Sequence, residues 1–249
     1  KAIIGTNSTK NIATYCGFGS IVTICGKKIT TLLPDRTKQI HKNYISDTES
    51  IGALCVSSCS SYFAVGSSND GGSLCILNAN TGTYASILSD NVKGGVISAA
   101  FSHDSKYLAV LGGDDRHTVY LYGASNSWND SSLIWSGETS KADCKFITFL
   151  SGGEYDFVTG DAQQLRWWKI IGRNVISTIC KVNAADVTSL VGLPGTGCIA
   201  TGHIDGVLAS WNGPNPNSSM PINAPLGEGP SSESKTIDSK ASQGPEPFG

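Results

Sequence analysis

Four short apolar runs recur in this chain at a nearly constant interval: Ser73–Asn78, Thr118–Gly123, Gln164–Lys169 and Gly206–Trp211, with starts 45, 46 and 42 residues apart. A repeat of that length is one supersecondary unit that cannot cover its own apolar sides and must stack on its neighbours. The period matches a four-stranded propeller blade rather than a helical repeat.

The surroundings of each run agree with a blade. A second strand ending in small residues precedes it, at Tyr62–Ser67, Tyr107–Gly112, Tyr155–Gly160 and Cys198–Gly202. The two are joined by polar turns, Asn69-Asp70-Gly71-Gly72, Asp114-Asp115, Asp161 and Asp205-Gly206. Asp and Gly supply the left-handed backbone positions that tight hairpins need. Further upstream lie β-branched or aromatic runs at Ile51–Val56, Val96–Ser102, Cys144–Leu150 and Val187–Val191, and weaker outer strands are expected at Thr83–Leu88, Leu133–Ser136 and Val175–Ile179. No segment sustains a 3.6-residue apolar period, so no helix is expected.

An earlier, partial blade is visible in Ile12–Cys16, Ser20–Cys25 and Lys28–Leu33. The expectation is therefore an all-β propeller of four to five four-stranded blades over residues 1–212, partial and open, because propellers use roughly four to eight blades. Its last blade is expected to stop after the third strand. From residue 213 to 249 the chain carries seven of its nine prolines among Ser and Gly. Such a segment buries too little apolar surface to offset its ordering entropy, and a disordered tail or linker is expected there.

Composition narrows the function classes. Lys+Arg number 18 against 20 Asp+Glu, for a net charge of -2, so no broad positive field is available for nucleic acid or anionic lipid. The eight cysteines occur singly, mostly inside apolar runs where a thiol acts as a small hydrophobe, which fits a reducing, cytoplasmic compartment. No run approaches the roughly 18 apolar residues needed to span a bilayer. The opening on Lys1 is what a fragment would show.

Candidate chemistry is weak at each place where it can be sought. Gly17-Phe18-Gly19 and Gly26-Lys27-Lys28 do not make the Gly-x4-Gly-Lys-Ser/Thr loop that cradles phosphates. Cys55 and Cys59 lack a second ligand pair at zinc spacing. Ser102, His103 and Asp104 are consecutive in a turn, which cannot hold a nucleophile, base and orienting acid in relay geometry. No catalytic residue, metal, cofactor or small-molecule substrate is expected, and the chain is read as a non-enzyme. Docking on loop faces remains. The candidate protein-binding residues are Lys106, Asp114, Asp115, Arg116 and His117 from two turns of one blade, with Arg166 and Trp167 on the third strand of the next; Arg and Trp are common interface anchors.

Val65-Gly66, Thr118-Val119-Tyr120-Leu121-Tyr122, Phe157-Val158-Thr159-Gly160 and Leu165-Arg166-Trp167-Trp168-Lys169-Ile170-Ile171-Gly172 resemble the opening blades of the echinoderm microtubule-associated protein-like WD-repeat family. The similar stretch covers roughly residues 11 to 212, and Thr201–Trp211 resembles a following blade. The resemblance implies a cytoskeletal scaffold whose protein partner is tubulin or the microtubule. The alternatives are a cilium- or flagellum-associated WD-repeat protein docking axonemal partners, and an enzyme built on a propeller. Where that family has Trp-Asp, this chain has Leu77-Asn78, Tyr122-Gly123, Trp168-Lys169 and Trp211-Asn212. The Trp, Ser/Thr, His and Asp tetrad of WD repeats is thus not expected intact. His41 is the candidate for the tetrad histidine, or else a solvated loop residue.

Overall fold

The computed structural model describes residues 13–16, 20–25, 28–33, 39–42, 50–88, 92–125, 127–139, 143–182 and 185–221, and every regular element among them is a strand. Blade 1 consists of β1 (Ala13–Cys16), β2 (Ser20–Cys25), β3 (Lys28–Leu32) and β4 (Gln39–Lys42). Blade 2 consists of β5 (Ile51–Val56), β6 (Tyr62–Ser67), β7 (Leu74–Asn78) and β8 (Tyr84–Ile87). Blade 3 follows with β9 (Val96–Phe101), β10 (Tyr107–Gly112), β11 (Thr118–Ser125) and β12 (Asp130–Glu138). Blade 4 holds β13 (Phe146–Phe149), β14 (Phe157–Gly160), β15 (Gln164–Ile171) and β16 (Asn174–Lys181), and blade 5 holds β17 (Val187–Gly192), β18 (Cys198–His203), β19 (Val207–Asn212) and β20 (Asn215–Pro221). Each sheet is an antiparallel meander in sequence order. The all-β, five-bladed propeller is as expected from the repeat.

Middle strands read as unbroken apolar runs because both of their faces are covered. Phe63, Val65 and Leu77 face blade 1 and pack with Val22, Ile24 and Ile29. Ala64, Leu74 and Ile76 face blade 3 and pack with Val96, Val110, Tyr120 and Tyr122. The same division continues: Leu111 and Leu121 pack with Phe157 and Trp168, and Val158 and Trp167 with Ile199 and Trp211. The core is a series of inter-blade layers, which is what a repeat covered only by its neighbours requires.

Two glycines set how closely blades 2 and 3 approach. A Cβ on Gly52 would lie 2.0 Å from the Val96 carbonyl oxygen, and one on Gly66 would lie 2.6 Å from the Val96 side chain. A β-bulge at the start of the inner strand recurs in blades 2, 3 and 5, where the pairing shifts between Ile51 and Ala53, between Leu111 and Gly112, and between Val187 and Ser189. It re-aims the strand as it enters the blade.

The blade boundaries differ from the sequence reading at both ends. Blade 1 is no fragment, since Gln39–Lys42 pairs with β3 as its outer strand. Blade 5 does not stop at Trp211–Asn212 either: the chain turns through Gly213, at φ 64, and returns as β20 to residue 221. The prolines that read as a linker are compatible with this strand because it is the outermost, where a missing N–H costs no ladder bond, and Pro216 sits at a bulge opposite Trp211. The rest of the expected tail, and the Gly17–Gly19 and Gly26-Lys27 turns, lie outside the described residues. Inner strands pack in order, β1 on β5, β5 on β9, β9 on β13 and β13 on β17. Among the described residues, no strand of blade 5 meets a strand of blade 1 as extensively as the consecutive inner strands meet each other. Accordingly blade 5 leaves Val191 and Leu208 exposed.

Candidate docking face

The meander gives the propeller two ends. One carries the turns between second and third strands together with the segments linking blades; the other carries the first-to-second and third-to-outer turns. One aspartate in each of the former turns bonds to a backbone amide. Asp114 accepts from the Thr118 amide and hydroxyl at 2.8 and 2.7 Å, and Asp161 accepts from the Gln163 and Gln164 amides at 2.7 Å each. Asp205 accepts from the Val207 amide, and Asp70 reaches across to the Gly94 amide at 2.6 Å, tying blade 2 to the link before blade 3. The Asp161 and Asp205 contacts, each to the amide two residues on, are the Asx turns that Asp-rich hairpins favour.

At this end blade 3 opens a cleft of about 540 Å³. Its walls are Lys93 from the inter-blade link, Asp114, Asp115, Arg116 and Thr118 from the hairpin, Tyr120 on β11, and Ser136, Gly137 and Glu138 at the end of β12. Arg116 Nη1 donates to both Glu138 oxygens at 2.7 Å. The Lys93 amide donates to the Tyr120 hydroxyl at 3.2 Å. With Arg116 paired to Glu138 and Asp114 closing the turn, Lys93 and Asp115 have no ion pair among the described residues. The cleft thus presents one cation and one carboxylate with free valence, a lining suited to a polar segment of mixed charge.

The structure divides the residues singled out from the sequence. Asp114, Asp115 and Arg116 line the cleft, while His117 stands beside it with a left-handed φ of 47, its Nε2 3.8 Å from Asp143. Lys106 lies at the opposite end of β10, 3.3 Å from Asp104, so it cannot share a ligand with the others. Trp167 is fully buried, with its ring edge-on to Tyr155 at 5.7 Å, and cannot act as a surface anchor. Arg166 lies 5.4 Å over the Trp168 ring and 3.4 Å from the Ser177 hydroxyl, on the body of blade 4 rather than at an end. No local sequence pattern points to Lys93, Tyr120 or Glu138; Glu138 in particular reaches Arg116 through the β11–β12 pairing, which places it opposite Thr118.

The tryptophan network is more complete than the sequence suggested. In blade 5 Trp211 Nε1 donates to Thr201 Oγ1 at 2.9 Å, Thr201 Oγ1 meets His203 Nε2 at 2.9 Å, and His203 Nδ1 meets the Ala185 carbonyl at 2.6 Å. The histidine of this network is His203, two residues beyond Thr201. His41 instead sits in β4 and bonds Thr30 Oγ1 at 2.9 Å. Blade 4 repeats the first link, with Trp168 Nε1 donating to Thr159 Oγ1 at 2.9 Å. In blade 2 both partners are apolar together: Leu77 stands at the tryptophan position and Val65 at the threonine one. Removing both halves of a buried hydrogen bond leaves no orphan, which is why blade 2 tolerates the change. Blade 3 goes halfway, with Tyr122 at the tryptophan position and Val110 at the threonine one; the buried tyrosine hydroxyl has no partner among the described residues, and burial pushes its pKa upward.

The other end of the propeller is built from serine. Ser57 and Ser102 each accept the amide of the residue opening the second strand, Tyr62 at 3.0 Å and Tyr107 at 2.9 Å. Ser102 also donates to Asp104 at 2.6 Å, so its hydroxyl closes the turn rather than serving a His103 relay. Adjacent turns are joined from the Cys59 amide to Ser105 Oγ at 3.2 Å, and from Ser151 to the Leu193 carbonyl and the Gly195 amide. Cys59 is exposed. Partial burial pushes its thiol pKa up, but the Ser105, Ser57 and Ser61 contacts outweigh this and bring it down to about 7. Burial has the opposite net result at Cys55 and Cys144, which are pushed up to about 12 and about 11. Cys59 is therefore expected to be alkylated faster than Cys55, Cys75 and Cys144. Its rate should rise with pH and level off just above about pH 7, because the thiolate is the nucleophile. Peptide mapping after timed labelling across pH checks this.

No protein-family model matches the sequence, and no curated protein matches it either. Solved structures do. A chain in the crystal structure of the mitotic checkpoint complex superimposes with a TM-score of 0.70 at 12% identity, over 89% of this chain and 66% of that one. The WD40 repeats of RRP9 give a TM-score of 0.56 at 17% identity, over 70% of this chain and 51% of that one. The structure of U3-55K gives 0.55 at 17%, over 70% and 52%. At these identities the likeness establishes the β-propeller fold, and the chain spans from half to two thirds of the length of these structures.

Proposed function

We propose that this chain is a non-enzymatic WD-repeat scaffold that binds protein partners at the end bearing the blade 3 cleft, and that the partner is tubulin or the microtubule in the cytoplasm. The observation that carries the docking reading is the cleft itself, where Lys93 and Asp115 have no ion partner among the described residues beside the closed Arg116–Glu138 pair. Fixed loops on a rigid sheet framework are where binding residues concentrate. The choice of tubulin rests on the resemblance carried by Leu165–Gly172 and on no contact geometry. Trp167 and Trp168, which carry much of that resemblance, serve here as packing residues.

Co-sedimentation of the full chain with polymerised microtubules, together with binding to tubulin dimers, tests the reading. Association at micromolar protein is expected, and Lys93→Glu combined with Arg116→Glu should abolish it while leaving the circular dichroism spectrum unchanged. Failure of the unaltered chain to bind either form would remove tubulin as the partner. Binding that is indifferent to the two substitutions would move the docking surface away from the cleft.

A further inference from the structure

We infer that blade 4 carries a dimerisation edge: β16 pairs in antiparallel fashion with β16 of a second copy of this chain. The outermost strand of every blade presents unpaired backbone groups, and such edges are normally blunted by shortness, charge, proline or a bulge. Four of the five outer strands are blunted in these ways. β4 and β8 are four residues long, and β4 ends in a lysine. β12 carries Asp130 and Glu138 at its termini and pairs through a bulge, and β20 has Pro216, Pro221 and a bulge. β16 is the least protected of the five: like β4 it ends in a lysine, Lys181, but it is eight residues long, Asn174–Cys180 carries no charge or proline, and the whole strand pairs with β15 in unbroken register.

Its exposed surface is also unusually apolar, with Ile176 at 53% and Ile179 at 50% exposure, and Ile171 at 50% across the turn. The free edge has a defined polarity. The Val182 amide donates to the Gln163 carbonyl, so the alternation of an antiparallel ladder turns residues 174, 176, 178 and 180 toward β15. Val175, Ser177, Ile179 and Lys181 then direct their amides and carbonyls away from the sheet.

That parity limits how a second copy can pair. A two-fold axis perpendicular to the sheet must pass through a residue and not between two. An axis at Ser177 would set Arg173 against Lys181 of the partner subunit, and like charges directly opposite are unfavourable. An axis at Thr178 avoids this. It joins Ser177 to Ile179 of the partner subunit through the free backbone groups, sets Ile176 against Cys180 of the partner subunit, and leaves no like-charge pair along the strand. Self-pairing is thus favoured by the absence of a like-charge pair, by the exposed apolar residues Ile176 and Ile179, one on each face, and by a register in which every free group of the edge meets its complement.

The test is the mass of the full chain by sedimentation equilibrium over a wide dilution series, with thermal unfolding as a check on each variant. A species of twice 26.0 kDa is expected at high concentration, dissociating on dilution. Ile179→Lys, on the exposed edge, should return the mass to 26.0 kDa with unchanged unfolding, whereas Ile134→Lys on the bulged β12 should leave the dimer intact. Thr178→Cys, placed at the axis, should give a disulfide-linked dimer on mild oxidation. A chain that stays monomeric overturns the inference, even if its edge accepts a foreign strand. A dimer that survives Ile179→Lys but is lost with Leu208→Lys overturns it too, because the contact would then be the exposed face of blade 5. None of these outcomes depends on whether the cleft binds tubulin.

Discussion

Trp168→Ala is expected to cost about 3–5 kcal/mol of folding stability, the usual price of truncating a large buried aromatic. The magnitude follows from what the indole does. It is stacked on Phe157 at 5.6 Å with an interplanar angle of 10°, receives the edge of Trp135 from blade 3 at 5.5 Å, and donates its N–H to Thr159. The substitution therefore opens a cavity in the layer between blades 3 and 4 and leaves the Thr159 hydroxyl without its donor. Denaturant unfolding followed by fluorescence and circular dichroism measures it. Thr159→Val separates the two contributions, since it orphans the indole N–H without a cavity and should cost about 1–3 kcal/mol. A Trp168→Ala loss no larger than that of Thr159→Val would mean the ring is not packed as described.

Gly52→Ala is expected to destabilise through the backbone, by about 1–3 kcal/mol or somewhat more, as overpacking of a closed interior does. A Cβ there meets the carbonyl oxygen of Val96, a backbone atom that cannot rotate away, whereas at Gly66 it meets only the Val96 side chain. The pair of substitutions makes the comparison internal. Gly66→Ala should be relieved in part by Val96→Ala, and Gly52→Ala should not be. Chemical denaturation of the four variants decides it, and a Gly52→Ala protein as stable as the parent would show that blades 2 and 3 stand farther apart.

Much of the architecture was legible in the sequence because a blade is a local object. Its strands are joined by short turns, so the spacing of Asp70, Asp114, Asp161 and Asp205 marks the hairpins directly. Outer strands were the hard part. Half-exposed residues such as Ser177 and Thr178 give little periodic signal, and prolines that argue against an inner strand are harmless at an edge, which is why β20 was read as linker. The candidate site was legible only where one turn supplied it. Asp114, Asp115 and Arg116 are contiguous and line one cleft; Lys93 and Glu138 join them there by packing, and no local pattern announces that. Trp167 was misplaced for a related reason. Neighbouring tryptophans on a strand point to opposite sides, and here both sides are interior, Trp167 facing blade 5 and Trp168 facing blade 3.

The order in which the inner strands pack, each on the next, gives this protein a graded resistance to opening. A blade packed extensively on both sides must break two layers to detach, while blade 1 and blade 5 each have one such layer among the described residues. Blades 2, 3 and 4 are therefore expected to be the slow-exchanging middle of the stack, with opening expected first at blades 1 and 5, where contact between blades is least extensive among the described residues. The cleft of blade 3 sits in the middle of that stack, on the part of the chain least disturbed by such fraying.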